Sequence, residues 1–255
     1  MSSGRIAREM SRRWLGARLA LAGRIHQYPE IWSLRRFLEA FAVDALIDVG
    51  ANEGQYAQMA RRGARFAGHI FSFEPNPDIF AILSAKAARD GKWHVFNMAL
   101  SDFDGAADFN IMAAHQFSSL VKPSDRLDPV FVERNRVERT VTMQCRRIDG
   151  LLRDLLRPHG LSRPFLKMDT QGHDRAVCEG AGDELATMLG VQTELAVRPQ
   201  YAGATDYRAM IDYLAERGFI PNAMFANNKG HFPALVEMDG IFLRADLAGE
   251  GAVSA

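Results

Sequence analysis

Between residues 45 and 197, short apolar runs alternate with stretches of helical periodicity. The runs cover residues 45–49, 70–73, 93–99, 165–168 and 191–197. Each is four to seven residues long, the length of a buried strand and too short for a helix. Between them, residues 55–62, 78–89, 149–157 and 174–189 read as helices, the last broken near Gly180 and Gly182. This alternation predicts an α/β fold: a parallel sheet with helices on both faces. Residues 107–111 and 141–145 alternate well enough for two extra strands. The polar stretch between them, residues 112–140, reads as an excursion from the sheet. Thr205 is the expected cap of a helix over 206–217 that Gly218 stops. Residues 219–225 and 240–244 predict two further strands, joined through Asn227, Asn228, Lys229 and Gly230. Upstream, residues 31–42 form a helix with Leu34, Phe37, Leu38 and Phe41 on one face. The expected organisation is a helical, Arg-rich extension (1–43), a main domain (44–245) and a frayed tail (246–255).

In parallel sheets of this kind, ligands bind beyond the carboxyl ends of the strands. That directs attention to residues 48–54, 74–76, 100–102 and 169–173. The first turn reads Asp48-Val49-Gly50-Ala51-Asn52-Glu53-Gly54. Its spacing is Gly-x-x-x-Gly, not the Gly-x-Gly-x-x-Gly of a nicotinamide site. A diphosphate there faces Asp48 and Glu53 and is repelled, whereas an ammonium group is attracted. Glu74, 24 residues after Gly50, stands where an acid accepts hydrogen bonds from both hydroxyls of a ribose. Ser101 and Asp102 end the third strand, where an adenine edge can be read. Together these positions describe a site for adenosine joined to a charged amino acid, without phosphate. S-adenosylmethionine has that shape.

Composition narrows the alternatives. The chain has 255 residues, with 31 Lys+Arg against 31 Asp+Glu, so no net basic field points to a nucleic acid partner. Hydrophobic residues make up 47% and charged residues 24%, which is ordinary for a globular chain. Cys145 and Cys178 cannot build a disulfide framework, which predicts a reducing, cytoplasmic setting. No apolar run reaches the ~18 residues of a membrane span. Within residues 1–28, Arg5, Arg8, Arg12, Arg13, Arg18 and Arg24 face a single acid, Glu9. Ile6, Met10, Trp14, Leu21 and Ile25 fall near helical spacing. The stretch therefore reads as a basic amphipathic helix, packed on the domain or lying peripherally on a membrane surface. An organelle-targeting role for this acid-poor segment stays open.

The motifs Asp48-Val-Gly-Ala-Asn-x-Gly54, Phe71-Ser-Phe-Glu-Pro-Asn-Pro77, Ala99-Leu-Ser-Asp102, Phe117-Ser-Ser-Leu120 and Phe165-Leu-Lys-Met-Asp-Thr-Gln-Gly-His173 occur in this order. In this series the chain resembles the FkbM family of S-adenosylmethionine-dependent methyltransferases, over residues 44–244. The resemblance implies a class I methyltransferase fold: a Rossmann-like, seven-stranded, mostly parallel sheet with a reversed last strand. It implies O-methylation of a sugar, glycan or natural-product hydroxyl. It places Asp48, Gly50, Asn52 and Gly54 around the methionine end of the cofactor and Glu74 on its ribose. Asn76, Ser101 and Asp102 fall near the adenosine. Ala51, Tyr56, Pro75, Leu100 and Asp169 complete the expected cofactor set. The chain has Asp174 where the family usually has Glu, which leaves the role of position 174 open.

Methyl transfer to a hydroxyl calls for a base. Lys167, Asp169 and His173 are the candidates, with Glu194 one strand away and His115 a further base candidate. His173 titrates near ~6.5 when unperturbed, suited to neutral pH, but also fits a helix-start residue bonded to backbone. Lys167 projects to the same side of its strand as Asp169, and a structural ion pair with Asp169 or Glu194 is the alternative. Asp169, Asp174 and Glu194 together suit Mg²⁺. The excursion, with Phe117, Ser118, Ser119, Arg126, Arg134, Arg136 and Arg139, covers the site and binds an anionic acceptor, or is a solvated face. A non-catalytic adenosine-cofactor-binding module is the competing functional class. A nicotinamide oxidoreductase is disfavoured by the glycine spacing. The acceptor's identity and assembly into a homo-oligomer stay open.

Overall fold

The computed structural model describes residues 3–125, 127, 131–226 and 233–254, without the side chains of 3–9, 11 and 250–254. Arg126, the loop residues Asn227, Asn228, Lys229 and Gly230, and the side chains of Arg5, Ile6, Arg8 and Glu9 lie outside the described residues.

Alternation along the first strand sorts the core into two layers. In β1 (Ala45–Val49), Ala45, Ile47 and Val49 join one apolar cluster and Leu46 the other. The first cluster takes in α5 (Leu152–Leu156), α6 (Asp174–Ala181) and α7 (Tyr207–Glu216) through Leu152, Val177 and Met210. The second takes in α2 (Tyr28–Ala40), α3 (Gln55–Arg62) and α4 (Pro77–Ala87) through Phe37, Ala57 and Leu83. The remaining strands of this sheet are β2 (His69–Phe73), β3 (Trp93–Phe96), β7 (Pro164–Met168), β8 (Gly190–Ala196), β9 (Phe219–Ala226) and β10 (Glu237–Arg244). Their order is β3-β2-β1-β7-β8-β10-β9. Strand β10 runs antiparallel to both its neighbours, and the pairs from β3 to β8 are parallel. This is the seven-stranded class I methyltransferase sheet with its reversed last strand.

A second, three-stranded sheet combines β4 (Ala99–Leu100), β5 (Gly105–Met112) and β6 (Val137–Arg146). The predicted strand over 93–99 is thus divided between two sheets. Strand β6 starts at Val137, so the excursion is shorter than expected. The predicted helix over 149–157 contracts to α5 and a 3₁₀ turn, Arg157–His159. The predicted helix over 174–189 stops at Ala181, because Gly182 takes φ +51° and 3₁₀ geometry follows. Asp206, rather than Thr205, caps α7, accepting from the N–H groups of Arg208 (2.9 Å) and Ala209 (3.0 Å).

The ends of the chain also differ from expectation. Leu34, Phe37 and Leu38 of α2 are core residues, so the stretch before residue 44 is not separate from the sheet domain. In α1 (Ser3–Leu21), Leu15 and Leu19 pack on Ile31. The predicted stripe of Met10, Trp14, Leu21 and Ile25 faces outward, because the i, i+4 pair Leu15/Leu19 holds the contact instead. Ala245–Ser254 forms 3₁₀ turns, with Leu247 buried. No described helix is long and apolar enough to cross a membrane.

Candidate active site

A cavity opens beyond the carboxyl ends of β1, β2, β4 and β7. Val49, Phe73, Met98, Leu100 and Phe109 give it an apolar floor. Asn52, Glu74, Asp169, Gln171 and His173 give it polar walls, and His115, Gln116, Ser118 and Leu120 of the excursion cover it. The turn after β1 is shaped by left-handed residues: Gly50 (φ +71°), Asn52 (φ +48°) and Gly54 (φ +82°). The Gly50 and Ala51 N–H groups both donate to the Phe73 carbonyl, at 3.1 and 3.0 Å, which ties the turn to β2. A Cβ at Gly50 would collide with the Asp169 carbonyl, so glycine is required where β1 and β7 meet. Gly54 has a packing role: a Cβ there would stand 2.6 Å from the Trp93 ring.

Glu74 is 6% exposed, and its side chain is fixed from both sides. Oε2 accepts from the Asn52 N–H and Oε1 from the Asn76 N–H, each at 2.8 Å. Burial pushes its pKa up to about 7, against the opposing effect of those two donors. Each oxygen retains acceptor capacity, and Glu74 lines the cavity.

Asp48 is placed differently from the sequence expectation. Its carboxylate is fully buried and does not line the cavity. In the sheet it lies between Ser72 of β2 and Lys167 of β7, in register with both. Ser72 Oγ donates to Oδ2 at 2.9 Å, and Lys167 Nζ stands 3.3 Å from Oδ1. The row extends to Gln192 of β8, opposite Lys167. Gln192 accepts from Tyr56 Oη (2.7 Å) and donates to Glu30 of α2 (2.9 Å). Strand alternation causes the difference: Asp48 shares the face of Leu46, which α2 and α3 cover. Lys167 and Tyr56 are likewise held in this buried row. Burial opposes the charge on Lys167, but Asp48 and Asp169 outweigh it and hold the ammonium above its ordinary value. Lys167 is thus paired within the sheet and does not line the cavity. Glu53 is also turned away, onto Lys86 at 2.8 Å.

At the end of β7 the chain bends sharply through Gln171 (φ +54°) and Gly172 (φ +89°). Asp174 fixes this bend. Its Oδ1 accepts from the Thr170 N–H (2.8 Å) and the Thr170 hydroxyl. Its Oδ2 accepts from Thr193 Oγ1 (2.6 Å) and the Glu194 N–H (3.3 Å). With four donors on a buried carboxylate, Asp174 has no oxygen to offer Mg²⁺. Among the described residues, Asp169, Asp174 and Glu194 do not form a metal-ligating cluster. Gln171 Nε2 instead bridges Asp169 Oδ1 (2.7 Å) and Glu194 Oε2 (3.3 Å), while Tyr201 Oη donates to Gln171 Oε1 (2.8 Å).

The Asp169–Gly172 bend lies between this cavity and a second one. Glu194, Glu237, Arg175, Arg198, Gln200 and Tyr201 are among the residues that line it. Burial raises the Glu194 pKa well above the carboxylate range, with Glu237, Asp169 and Asp239 adding like charge.

His173 lines the first cavity, but its Nε2 lies 2.9 Å from Ser101 Oγ, and Ser101 donates to Asp102 at 3.0 Å. It sits with the residues expected near adenine, not with Asp169 and Glu194. Asn76 is occupied in capping α4 through Asp78 N (3.1 Å), and Ser101 is buried; neither lines the cavity. Ala51, Gly54, Tyr56 and Asp102 also stand outside its lining, whereas Gly50, Asn52, Glu74, Pro75, Leu100 and Asp169 are in it. Arg136 pairs with Glu138, Arg139 with Asp78, and Arg134 is exposed, so these arginines form a solvated face. Sequence reasoning missed Gln171, Tyr201, Glu237 and Gln192. Only Gln171 lay inside a quoted motif; Gln192 and Glu237 become visible through strand register, and Tyr201 through the loop after β8.

The first cavity fits S-adenosylmethionine. Its apolar floor suits an adenine, the Glu74 carboxylate suits two adjacent hydroxyls, and the Gly50 backbone allows close approach beside Asp169. The family profile described as "Methyltransferase FkbM domain" matches residues 48–221. The 2-O-methyltransferase NoeI of Sinorhizobium fredii is 26% identical over 177 residues, 66% of this chain and 70% of the relative. The crystal structure of methyltransferase FkbM from Methylobacillus flagellatus overlaps 79% of this chain with a TM-score of 0.48 and 12% identity. This chain spans 43% of the length of that one. Magnesium protoporphyrin IX methyltransferase from Synechocystis, solved with bound S-adenosylmethionine, overlaps 87% of this chain and 81% of its own, with a TM-score of 0.46 and 10% identity. With the family profile matching residues 48–221, more than half of its length, the chain belongs to the FkbM family of S-adenosylmethionine-dependent methyltransferases.

Proposed function

We propose that the chain transfers a methyl group to a hydroxyl of a sugar, glycan or secondary metabolite. The observation that carries this reading is the pair of cavities on either side of the Gln171 bend. One suits the cofactor, and the other, lined by Glu194, Glu237, Arg198 and Tyr201, suits a polyhydroxylated acceptor. A relative named for 2-O-methylation supports the same chemistry.

The cofactor, when bound, supplies an electrophilic methyl group on a sulfonium. Glu74 accepts hydrogen bonds from the ribose hydroxyls, and Val49, Phe73 and Leu100 exclude water from the adenine. Asp169 faces the cavity at the β7 end and places a negative charge beside the cofactor's ammonium. Gln171 holds Asp169 and Glu194 at a fixed separation through one amide. Glu194 takes the proton from the acceptor hydroxyl. Burial, with the like charge of Glu237 and Asp169, raises its affinity for a proton.

The test is transfer of a labelled methyl group from S-adenosylmethionine to a panel of mono- and oligosaccharides and hydroxylated metabolites. Label on a hydroxyl oxygen, lost by about 10²-fold or more in Glu194→Gln with cofactor affinity retained, is the expected result. Label only on amine or carboxyl acceptors would overturn the O-methyl reading. Cofactor binding without transfer to any acceptor would favour the non-catalytic module.

A further inference from the structure

Three imidazoles meet at the end of the sheet opposite the cofactor cavity. His69 opens β2, His94 is the second residue of β3, and His159 closes the 3₁₀ turn after α5. Alternation puts His69 and His94 on the face of Phe71, the face that α5 covers. One ring nitrogen from each histidine lies within 4.8 Å of those of the other two.

The rings are arranged around a shared point. His69 Nδ1 and His94 Nε2 are 3.0 Å apart, with ring planes 5° from parallel and centroids 5.3 Å apart. That is an edge-to-edge pair, in which two ring nitrogens face each other at hydrogen-bond distance and can share a proton. The His159 ring is 4.4 Å from His69 and 4.8 Å from His94, centroid to centroid. We propose that these three histidines form a binding site for a divalent transition metal, Zn²⁺ or a similar imidazole-seeking ion, which replaces the shared proton and clamps the α5 turn to the sheet edge.

The distances suit this ion class. Zn–N bonds of about 2.0–2.1 Å place tetrahedral ligand nitrogens about 3.3 Å apart. The His69–His94 pair departs from that by a few tenths of an ångström. The widest gap closes by at most about 1.5 Å, through rotation of His159, which is exposed and on a turn. Burial, followed by the proximity of His159, holds both His69 and His94 below the ordinary imidazole range. Asp90, which favours positive charge at His94, is engaged by Arg61 (2.7 Å) and the Lys92 N–H (3.1 Å). It does not supply a ligand, so water takes the fourth position. Arg61 and Lys92 oppose a further cation near His69, and Asp90 offsets the first of them. The competing account is aromatic packing, since His94 also stacks on Phe71 at 4.9 Å.

The experiment titrates tag-free, full-length protein with Zn²⁺ by calorimetry, and with Co²⁺ by its visible ligand-field bands. One equivalent is expected, with the Co²⁺ spectrum of a nitrogen-ligated tetrahedral site. His159→Ala should weaken binding at least about tenfold, with far-ultraviolet circular dichroism and S-adenosylhomocysteine affinity unchanged. His26→Ala, distant from the cluster, should bind as the wild type does. No saturable stoichiometric binding by the wild type, or unaltered affinity in His159→Ala, would overturn the assignment and leave aromatic packing as the account of the cluster.

Discussion

Lys167 Nζ lies 3.3 Å from Asp48 Oδ1, directly across two neighbouring parallel strands, and both side chains are buried. The acid of the first strand-end motif is therefore neutralised within the sheet rather than by a ligand. A buried pair of this kind costs desolvation on both sides, but removing one partner costs more. Lys167→Met should destabilise the protein by about 3–5 kcal/mol. The double variant Lys167→Met/Asp48→Asn should recover part of that loss. Urea unfolding of the four proteins measures the coupling; additive losses would show that the two residues do not act as a pair.

Cofactor affinity should depend on pH through Glu74. Its folded value near 7 lies above the unfolded 4.5, so the unliganded fold favours the protonated form. The stability it contributes is full below pH 4.5 and is lost as pH rises through 7. Binding has the opposite sign, because the ionised carboxylate accepts both ribose hydroxyls. S-adenosylhomocysteine affinity should fall by about tenfold between pH 8 and pH 6. Calorimetry across that range should give a flat profile for Glu74→Gln.

Gly50→Ala should unfold or severely destabilise the protein. The new Cβ meets backbone, the Asp169 carbonyl, and φ is +71°. Neither can relax without separating β1 from β7. A thermal midpoint close to that of the wild type would contradict this account of the turn.

Mg²⁺ should not affect turnover. Asp174 has both oxygens committed to Thr170, Thr193 and the Glu194 N–H. Adding Mg²⁺ to chelator-treated protein should leave the rate unchanged. Asp174→Ala should loosen the Gln171 bend and lower turnover even with cofactor saturating. A rate that rises severalfold with Mg²⁺ would return the three-carboxylate site to consideration.

The fold was legible because the strands carry their own period and length. Four of the five apolar runs from residue 45 to residue 197 fall in strands of the main sheet, the 93–99 run is shared with the second sheet, and Glu74, Leu100 and Asp169 line one cavity. Face, by contrast, could not be read from a motif. Asp48 and Gly50 are two residues apart, yet only Gly50 meets the cavity, because Asp48 points into the layer beneath α2 and α3. Lys167, a base candidate or an ion-pair residue by sequence, is the buried partner of Asp48, since its neighbour is set by register across the sheet. His173 and Ser101 are 72 residues apart, and their 2.9 Å contact depends on where α6 starts relative to β4. Helix ends also escaped prediction where two capping residues adjoin, as with Thr205 and Asp206.

The central claim is that Glu74 and the apolar floor of the first cavity hold the cofactor. Calorimetric titration of S-adenosylhomocysteine into the wild type and Glu74→Ala tests it most directly. One-to-one binding by the wild type, weakened at least about tenfold in a folded Glu74→Ala, is the predicted result. No binding by the wild type, or equal affinity in both proteins, would contradict it.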